Sequence, residues 1–456
     1  MASTQPTILD GPPVSPDAAI GASAMRKATL HLIPLIALGY GAAYMDRVNI
    51  SFASLQMNRD LHFSATVYGF GAGLFFLSYS ACEIPSNLLL YRFGARRWLA
   101  RIMLTWGLVA MAMIFVRTPL EFYIVRFFLG MAEAGFFPGV LFYLMQWFPA
   151  HLRARTITRF YIAWPLSSVV MGSVAGTLLN LQGHLHLAGW QWLFLVEALP
   201  AVLLGIVFLC LLPDSPADAR WLTEPERQSL LAGVQHDAAP HSDATSILPM
   251  LRDGRVWLIG IFFFCMLGSG YAYTFSAPAI IQKATGLSTT RVGFVIAALA
   301  FLSACTMLWG GARSDRSGER HWNIIPHCLL VAAGFLLCGL STSSATMIAG
   351  IVLVVLPYTA MQGPLLSIPA TFLSGKHLAA GIAAMNTIGI LGGFVGPYWM
   401  GIAKDLTGNY QRGLLTMAPV MLTAAAIMLY LSRQTQTHAP APAALPIASA
   451  LDSPNL

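Results

Sequence analysis

The chain has 456 residues, of which 56% are apolar and 10% charged, with a mean hydropathy of +0.66. Charged residues make up about a quarter of a soluble domain, so this composition excludes one and describes a polytopic membrane protein. A net charge of +7 first suggests a nucleic-acid partner, but the basic residues are scattered over short segments between apolar runs, where they report topology.

Residues 1–24 are rich in Pro, Ser and Ala, carry Asp10 and Asp17, and lack the basic region and cleavage site of a signal peptide. They read as a disordered cytoplasmic tail, with 1–28 preceding the first span. Apolar runs follow near 30–52, 66–90, 98–116, 120–147, 157–180 and 191–212, then near 256–281, 290–311, 323–341, 345–373, 379–403 and 411–432. Crossing a bilayer takes roughly 20 residues. The expected fold is all-α, with twelve transmembrane helices in two six-helix halves, 29–212 and 256–432. A linker, 213–255, joins the halves, and an Ala/Pro-rich tail, 433–456, reads as disordered. Within the linker, Thr223-Glu224-Pro225-Glu226 has a capping-box pattern ahead of a short amphipathic run, which predicts a surface helix. With both termini inside, the opposite loops hold only Arg59, Arg117, Lys283, Arg291, Lys404 and Arg412, and most other Lys and Arg fall on the cytoplasmic side. That asymmetry sets the orientation.

Two runs contain charge. The fourth, Leu120 to Trp147, carries Arg126 and Glu133. Each costs roughly 2.5 to 3.5 kcal/mol at the middle of a membrane helix, so a charge kept there points to a paired or wet site. Seven residues are close to two helical turns, which places both side chains on one stripe about 10 Å apart along the axis. Gly135 and Gly139 form a GxxxG pattern that lets a neighbouring helix approach. The competing reading has Arg126 snorkelling to the interface while Glu133 pairs elsewhere for packing alone. The first run ends with Tyr44, Asp46, Arg47 and Asn49. Adjacent helical residues point ~100° apart, so Asp46 and Arg47 need partners on another element, and the fourth run offers them. With Asp46 and Glu133 ionised, the two arginines bring the site to zero net charge. Protonating the acids leaves it positive and attractive to an anion, so proton and anion load together.

A short repeat links the halves. Asn87-x-x-x-Tyr91-Arg92-x-Gly94-Ala95-Arg96-Arg97 follows the second run, and Gly311-x-x-x-Asp315-Arg316-x-Gly318-Glu319-Arg320 follows the eighth. The second copy resembles the G-x-x-x-D-R-x-G-x-R loop of the major facilitator superfamily; the first departs from it at Asn87 and Tyr91. Tyr44-Met-Asp46-Arg47-Val-Asn49-Ile-Ser51, Ile84-Pro-Ser-Asn87, Gly94-Ala-Arg-Arg-Trp98, Arg126 through Gly139 and Pro213-Asp-Ser-Pro216 together resemble its anion:cation symporter branch. That branch includes permeases for tartrate, rhamnonate, galactonate, phthalate and hydroxyphenylacetate.

The resemblance implies proton coupling by Asp46 and Glu133, and a substrate site of Arg47, Arg126, Tyr44, Tyr79, Tyr271, Ser367 and Asn386. It implies a gating loop of Arg92, Gly94, Gly311, Asp315, Arg316, Gly318 and Arg320. Tyr161, Trp164, Tyr358 and Gln362 read as packing, and Leu366 stands where the family often has Trp. The implied function is proton symport of a small organic anion by an inner-membrane monomer with no cofactor. A hydroxycarboxylate or sugar acid such as tartrate would use Asn386, Ser367 and Gln362, whereas an aromatic acid would stack on Tyr79, Trp164 or Tyr271. A passive anion channel or membrane sensor would need no titratable acid beside the arginines, and export on the same fold differs only in the gradients. The six cysteines lie in apolar runs without paired spacing, and His184 and His186 lack ligand companions, so no metal is expected. No ATP-binding loop or hydrolase motif occurs, so the chain does not read as an enzyme.

Overall fold

The computed structural model describes residues 16–237, 252–369, 372–373 and 375–437. Twelve of its helices are long and apolar enough to cross a bilayer. Spans 1 to 6 are Ala19–Asp60, Ala65–Phe93, Ala95–Phe115, Pro119–Met145, Arg159–Leu179 and Gly189–Leu211. Spans 7 to 12 are Gly254–Thr285, Thr289–Ser317, His321–Gly339, Ser344–Leu365, Ala380–Thr407 and Gln411–Gln434. An even number of crossings brings the described chain in and out on one side, called here the terminal face; the opposite side is the far face.

Local chemistry sets the helix ends. Thr118 accepts from Glu121 N, the Glu121 carboxylate returns to Thr118 N, and Pro119 takes the first helical position, where a missing N–H costs nothing. Gly286 and Gly318 close spans 7 and 8 in the left-handed conformation, with φ of 67° at each. Span 4, expected as one helix through Trp147, is broken: Gly135 has a φ of 87° and a second helical piece, Phe136–Met145, follows. The reason is Pro138, whose ring would clash with the carbonyl four residues earlier.

The first helix begins at Pro16, not near residue 29, so the expected disordered tail is helical from that point. Ala24 and Ala28 are fully buried. They are covered by the linker, whose predicted surface helix is present as Glu224–Asp237. Glu226 accepts from Ser23 Oγ at 2.7 Å, Lys27 Nζ at 2.8 Å and Thr223 N at 2.9 Å. Trp221 stacks on His31, ring centroids 4.5 Å apart, and on Trp147. Residues 1–15, 238–251 and 438–456 of the expected tails and linker lie outside the described residues.

The halves meet along span 2 with span 11, span 5 with span 8 and span 1 with span 7. At the far face the contact is backbone on backbone. A Cβ on Gly69 would lie 2.3 Å from Pro397 O, on Gly401 2.2 Å from Ala65 O, and on Gly176 2.4 Å from Thr290 Cα. Small residues are what permit so close an approach in a membrane. Asp405 at the end of span 11 accepts from Ala65 N at 3.1 Å and Thr66 N at 2.7 Å, capping span 2 from the other half. Asn180 donates to Thr290 Oγ1 at 3.0 Å. These contacts seal the far face.

Two outcomes follow. Gly176→Leu should prise spans 5 and 8 apart, read as a longer distance between spin labels at positions 186 and 287; an unchanged distance would mean that the seam tolerates bulk. The hydrogen bond from Lys27, with those from Thr223 and Ser23, holds the Glu226 carboxyl down at about 2. A depressed folded value means the contact stabilises at neutral pH and its contribution fades as pH falls from the ordinary glutamate value of 4.5 to about 2. Hydrogen exchange over residues 224–237 should therefore stay slow in mildly acid buffer and become fast in Glu226→Ala at pH 7.

Candidate transport site

A cavity of about 270 Å3 lies between the halves. Span 1 sends Tyr44 and Arg47 to its wall and span 2 sends Tyr79, while Tyr271 and Asn386 face them from spans 7 and 11. These five were expected at the site. Tyr161, Trp164, Tyr358 and Gln362, read from sequence as packing, line the cavity too, which corrects that reading. Each is an amphipathic or polar side chain on a helix bordering the gap between the halves, so it packs and faces the cavity at once.

The charged residues form two layers. Arg47 donates through Nη2 to Glu133 Oε1, joining span 1 to span 4 as the adjacency of Asp46 and Arg47 required. Its side chain is 18% exposed, and its guanidinium sits 5.3 Å from the Phe75 centroid and 5.4 Å from that of Tyr79. Arg47 Nε and Glu133 Oε2 have no hydrogen-bond partner among the described residues. Arg126 is fully buried and does not line the cavity, contrary to expectation. Its Nη2 donates to Ala72 O at 3.2 Å, its Nε lies 3.4 Å from Gly71 O, and it lies 5.0 Å from the other guanidinium's neighbour, the Phe75 ring. Both guanidiniums thus lie against the Phe75 ring. Asp46 is buried, accepts from Asn49 Nδ2 at 3.1 Å, and lies within electrostatic reach of Arg126 and Glu133.

Close backbone approach makes this possible. A Cβ on Gly130 would lie 2.1 Å from Phe75 O, and one on Gly71 would lie 2.2 Å from the Phe122 ring. Spans 2 and 4 therefore touch where Arg126 needs carbonyl oxygens. The GxxxG pair does what its spacing suggested: Gly135 faces Ser86 and Gly139 faces Leu90, both on span 2.

Two acids were missed. Glu83 on span 2 is buried and receives a hydrogen bond from Asn386 Nδ2 at 3.2 Å. Glu197 on span 6 is buried within electrostatic reach of Asp46, and neither of its carboxylate oxygens has a partner among the described residues. The signal was available, because both are single acids inside apolar runs, the pattern that marked Glu133. Ser367 stays outside the cavity wall, and its hydroxyl donates to Pro364 O in its own helix at 2.7 Å. The side chain of Leu366 lies outside the described residues.

The paired loops lie on the terminal face. In the second copy Arg320 donates to Asp315 Oδ1 and to Ser314 Oγ, each at 2.8 Å, and Gly318 supplies the left-handed turn beside the exposed Arg316. Gly311 at the start of that motif faces Gly363 of span 10's side of the bundle. In the first copy Tyr91 replaces the aspartate, and the carboxylate comes from elsewhere. Asp214 Oδ1 accepts from Arg96 N at 2.9 Å, and Oδ2 lies 3.6 Å from Arg96 Nε. A Cβ on Gly94, whose φ is 85°, would lie 2.9 Å from Asp214 Oδ1, so glycine is needed there. Arg92 is exposed over Phe93.

Two six-helix units around a central aromatic-walled cavity, with matching loops on one face, define a membrane transporter fold. The sequence matches the profile described as Major Facilitator Superfamily over residues 36–397 and again over 270–453, and the chain belongs to that superfamily. It is 46% identical over 410 residues to a protein of Agrobacterium vitis named "Putative tartrate transporter", covering 90% of this chain and 94% of that one. It is 38% identical to a "Quinolone resistance transporter" of Acinetobacter baumannii, covering 87% and 92%. The fold superposes with a TM-score of 0.73, at 15% identity, on a bacterial homologue of the human lysosomal transporter Spinster, covering 92% of this chain and 99% of that one.

The loop geometry makes a prediction about speed. Asp315→Asn and Asp214→Asn each remove a carboxylate from a terminal-face arginine without touching the cavity. Each should slow transport severalfold while equilibrium affinity stays within twofold of wild type; a large loss of affinity at normal turnover would contradict this.

Proposed function

We propose that this chain is a proton-coupled symporter of the anion:cation type that imports a small organic anion, a hydroxycarboxylate or sugar acid such as tartrate. On this reading it works as a monomer in the inner membrane, with both termini cytoplasmic. The observation that carries it is Arg47 on the cavity wall, paired with the buried Glu133. Arg47 is a cation with donors turned toward an aromatic-walled cavity, and its partner is an acid. A substrate carboxylate and the Glu133 carboxylate compete for the same guanidinium. When Glu133 takes a proton its hold on Arg47 weakens, and Arg47 is released to grip the anion with charge-assisted hydrogen bonds. Linkage then runs both ways: the proton raises affinity for the anion, and the anion raises affinity for the proton. Arg126 and Asp46 form the second layer, one cation and one acid that balance each other. The 46% identity to a protein named for tartrate transport supports the substrate class.

The second reading is an aromatic acid, favoured by the rings of Tyr44, Tyr79, Trp164, Tyr271 and Tyr358 on the cavity wall. A flat carboxylic acid would stack there while Arg47 holds its carboxylate. Thermal-shift screening against tartrate, rhamnonate, phthalate and 4-hydroxyphenylacetate separates the two, because a ligand at 100 times its Kd stabilises by roughly 2.7 kcal/mol.

Three substitutions test the mechanism. Glu133→Gln cannot release a proton, so uptake driven by an inward proton gradient should disappear while exchange of labelled for unlabelled substrate in proteoliposomes persists. Accumulation against a gradient by this variant would remove Glu133 from the coupling scheme. Arg47→Ala should weaken binding by about ten- to a hundredfold, the worth of a charge-assisted hydrogen bond of ~1.5 to 3 kcal/mol. Arg126→Ala should lower the melting temperature as well as affinity, since it strips Asp46 of its nearby cation.

A further inference from the structure

Beside the cavity a polar bridge joins the two halves, and it uses none of the four residues of the charged layers. Glu83 lies on span 2, one turn beyond Tyr79 toward the terminal face, and is buried. Asn386 comes from span 11 in the other half and is on the cavity wall. Its Nδ2 lies 3.2 Å from Glu83 Oε1 and 3.5 Å from Oε2, so the amide's NH2 end faces the carboxyl group of Glu83.

An amide is a planar group with donors at one end and an acceptor at the other, and fixing one end fixes both. Glu83 can receive the NH2 end whether its carboxyl group is charged or neutral, because an oxygen lone pair is present in either state. Asn386 Oδ1 is therefore turned away from Glu83, and no donor among the described residues reaches it. Arg47, the cation on the cavity wall, offers donors only, which suits a carboxylate. Asn386 then offers the complementary acceptor. We propose that Glu83 is a positioning residue that holds Asn386 with its carbonyl oxygen available to the cavity, so that the carrier selects acids bearing a hydroxyl donor over the same acids without one. This rests on the organic-anion reading above and specifies its substrate class. An acid lacking the hydroxyl leaves the carbonyl without that partner, and sites built to bond a substrate hydroxyl reject analogues lacking it far more strongly than apolar pockets reject extra bulk. The hydroxyl contact comes from the second half and the carboxylate contact from the first, so a hydroxy acid bridges the halves in the way the Glu83 and Asn386 pair already does.

The test is calorimetric titration of the purified full-length protein with succinate, malate and tartrate, four-carbon diacids that differ in hydroxyl count. Wild type should bind tartrate at least about tenfold more tightly than succinate, with malate between. Glu83→Gln should keep that ratio, since a glutamine carbonyl can receive the same Asn386 NH2. Glu83→Leu should bring the ratio close to one by weakening tartrate and leaving succinate within about twofold, whereas loss of mere packing would weaken all three acids together. Asn386→Leu removes the acceptor directly and should collapse the ratio in the same way, which keeps the proposal testable if Glu83→Leu does not fold. A wild-type ratio retained in either leucine variant, or lost in Glu83→Gln as fully as in Glu83→Leu, overturns the proposal. Equal binding of the three acids by wild type also overturns it and leaves anion transport standing. Binding of phthalate with none of the three overturns it together with the hydroxycarboxylate reading.

Discussion

Placing a guanidinium in the middle of a membrane bundle is the constraint from which the first half is built. Arg126 cannot reach water, so its donors need oxygen atoms from neighbouring helices, and the described structure supplies carbonyls of span 2. Those carbonyls come within reach because Gly71 and Gly130 let spans 2 and 4 touch without intervening side chains. Span 1 then fits against the same seam and delivers Asp46 toward Arg126 and Arg47 toward Glu133. Removing a small residue from that seam would therefore disturb charge pairing as well as packing.

Much of this was legible in the sequence, for identifiable reasons. Apolar runs give the spans directly, and two charges side by side on a helix must look to another element, which is how span 4 was found as the partner of span 1. What could not be read was which neighbour each side chain meets. The helical stripe put Arg126 and Glu133 on one face, yet the break at Gly135 leaves Glu133 at the end of its helix, where it reaches Arg47, while Arg126 lies against the Phe75 ring. The helical segment beginning at Pro16 was invisible for a related reason: its composition is that of a tail, and it is covered by a linker about 200 residues away in the chain. Glu83 and Glu197 were legible by the same rule that marked Glu133 and were passed over.

The two copies of the terminal-face loop show how a repeat can diverge and keep its electrostatics. Arg96 and Arg320 occupy equivalent positions, and each has a carboxylate. In the second copy it is five residues away at Asp315; in the first it is Asp214, which enters from beyond span 6. The departure at Tyr91, which weakened the motif on paper, therefore costs the loop its local acid but not its ion pair. It also ties the start of the linker to the loop after span 2, so that the first half carries its terminal-face contacts as one body.

The far-face cap on span 2 has a thermodynamic meaning. Asp405 serves as a detachable helix cap: it satisfies Ala65 and Thr66 from the opposite half, while Ser64 satisfies Val67 from within. If the halves part at this face, water can take over the two freed N–H groups, and a charge at a helix N-terminus is worth only about 0.3 to 1 kcal/mol at an exposed site. The glycine seam beside it holds by shape and forms few polar bonds. The polar part of this closure is therefore small and exchangeable with water. A ligand that binds one arrangement tenfold better than another shifts the populations by ~1.4 kcal/mol, the same order as that polar part.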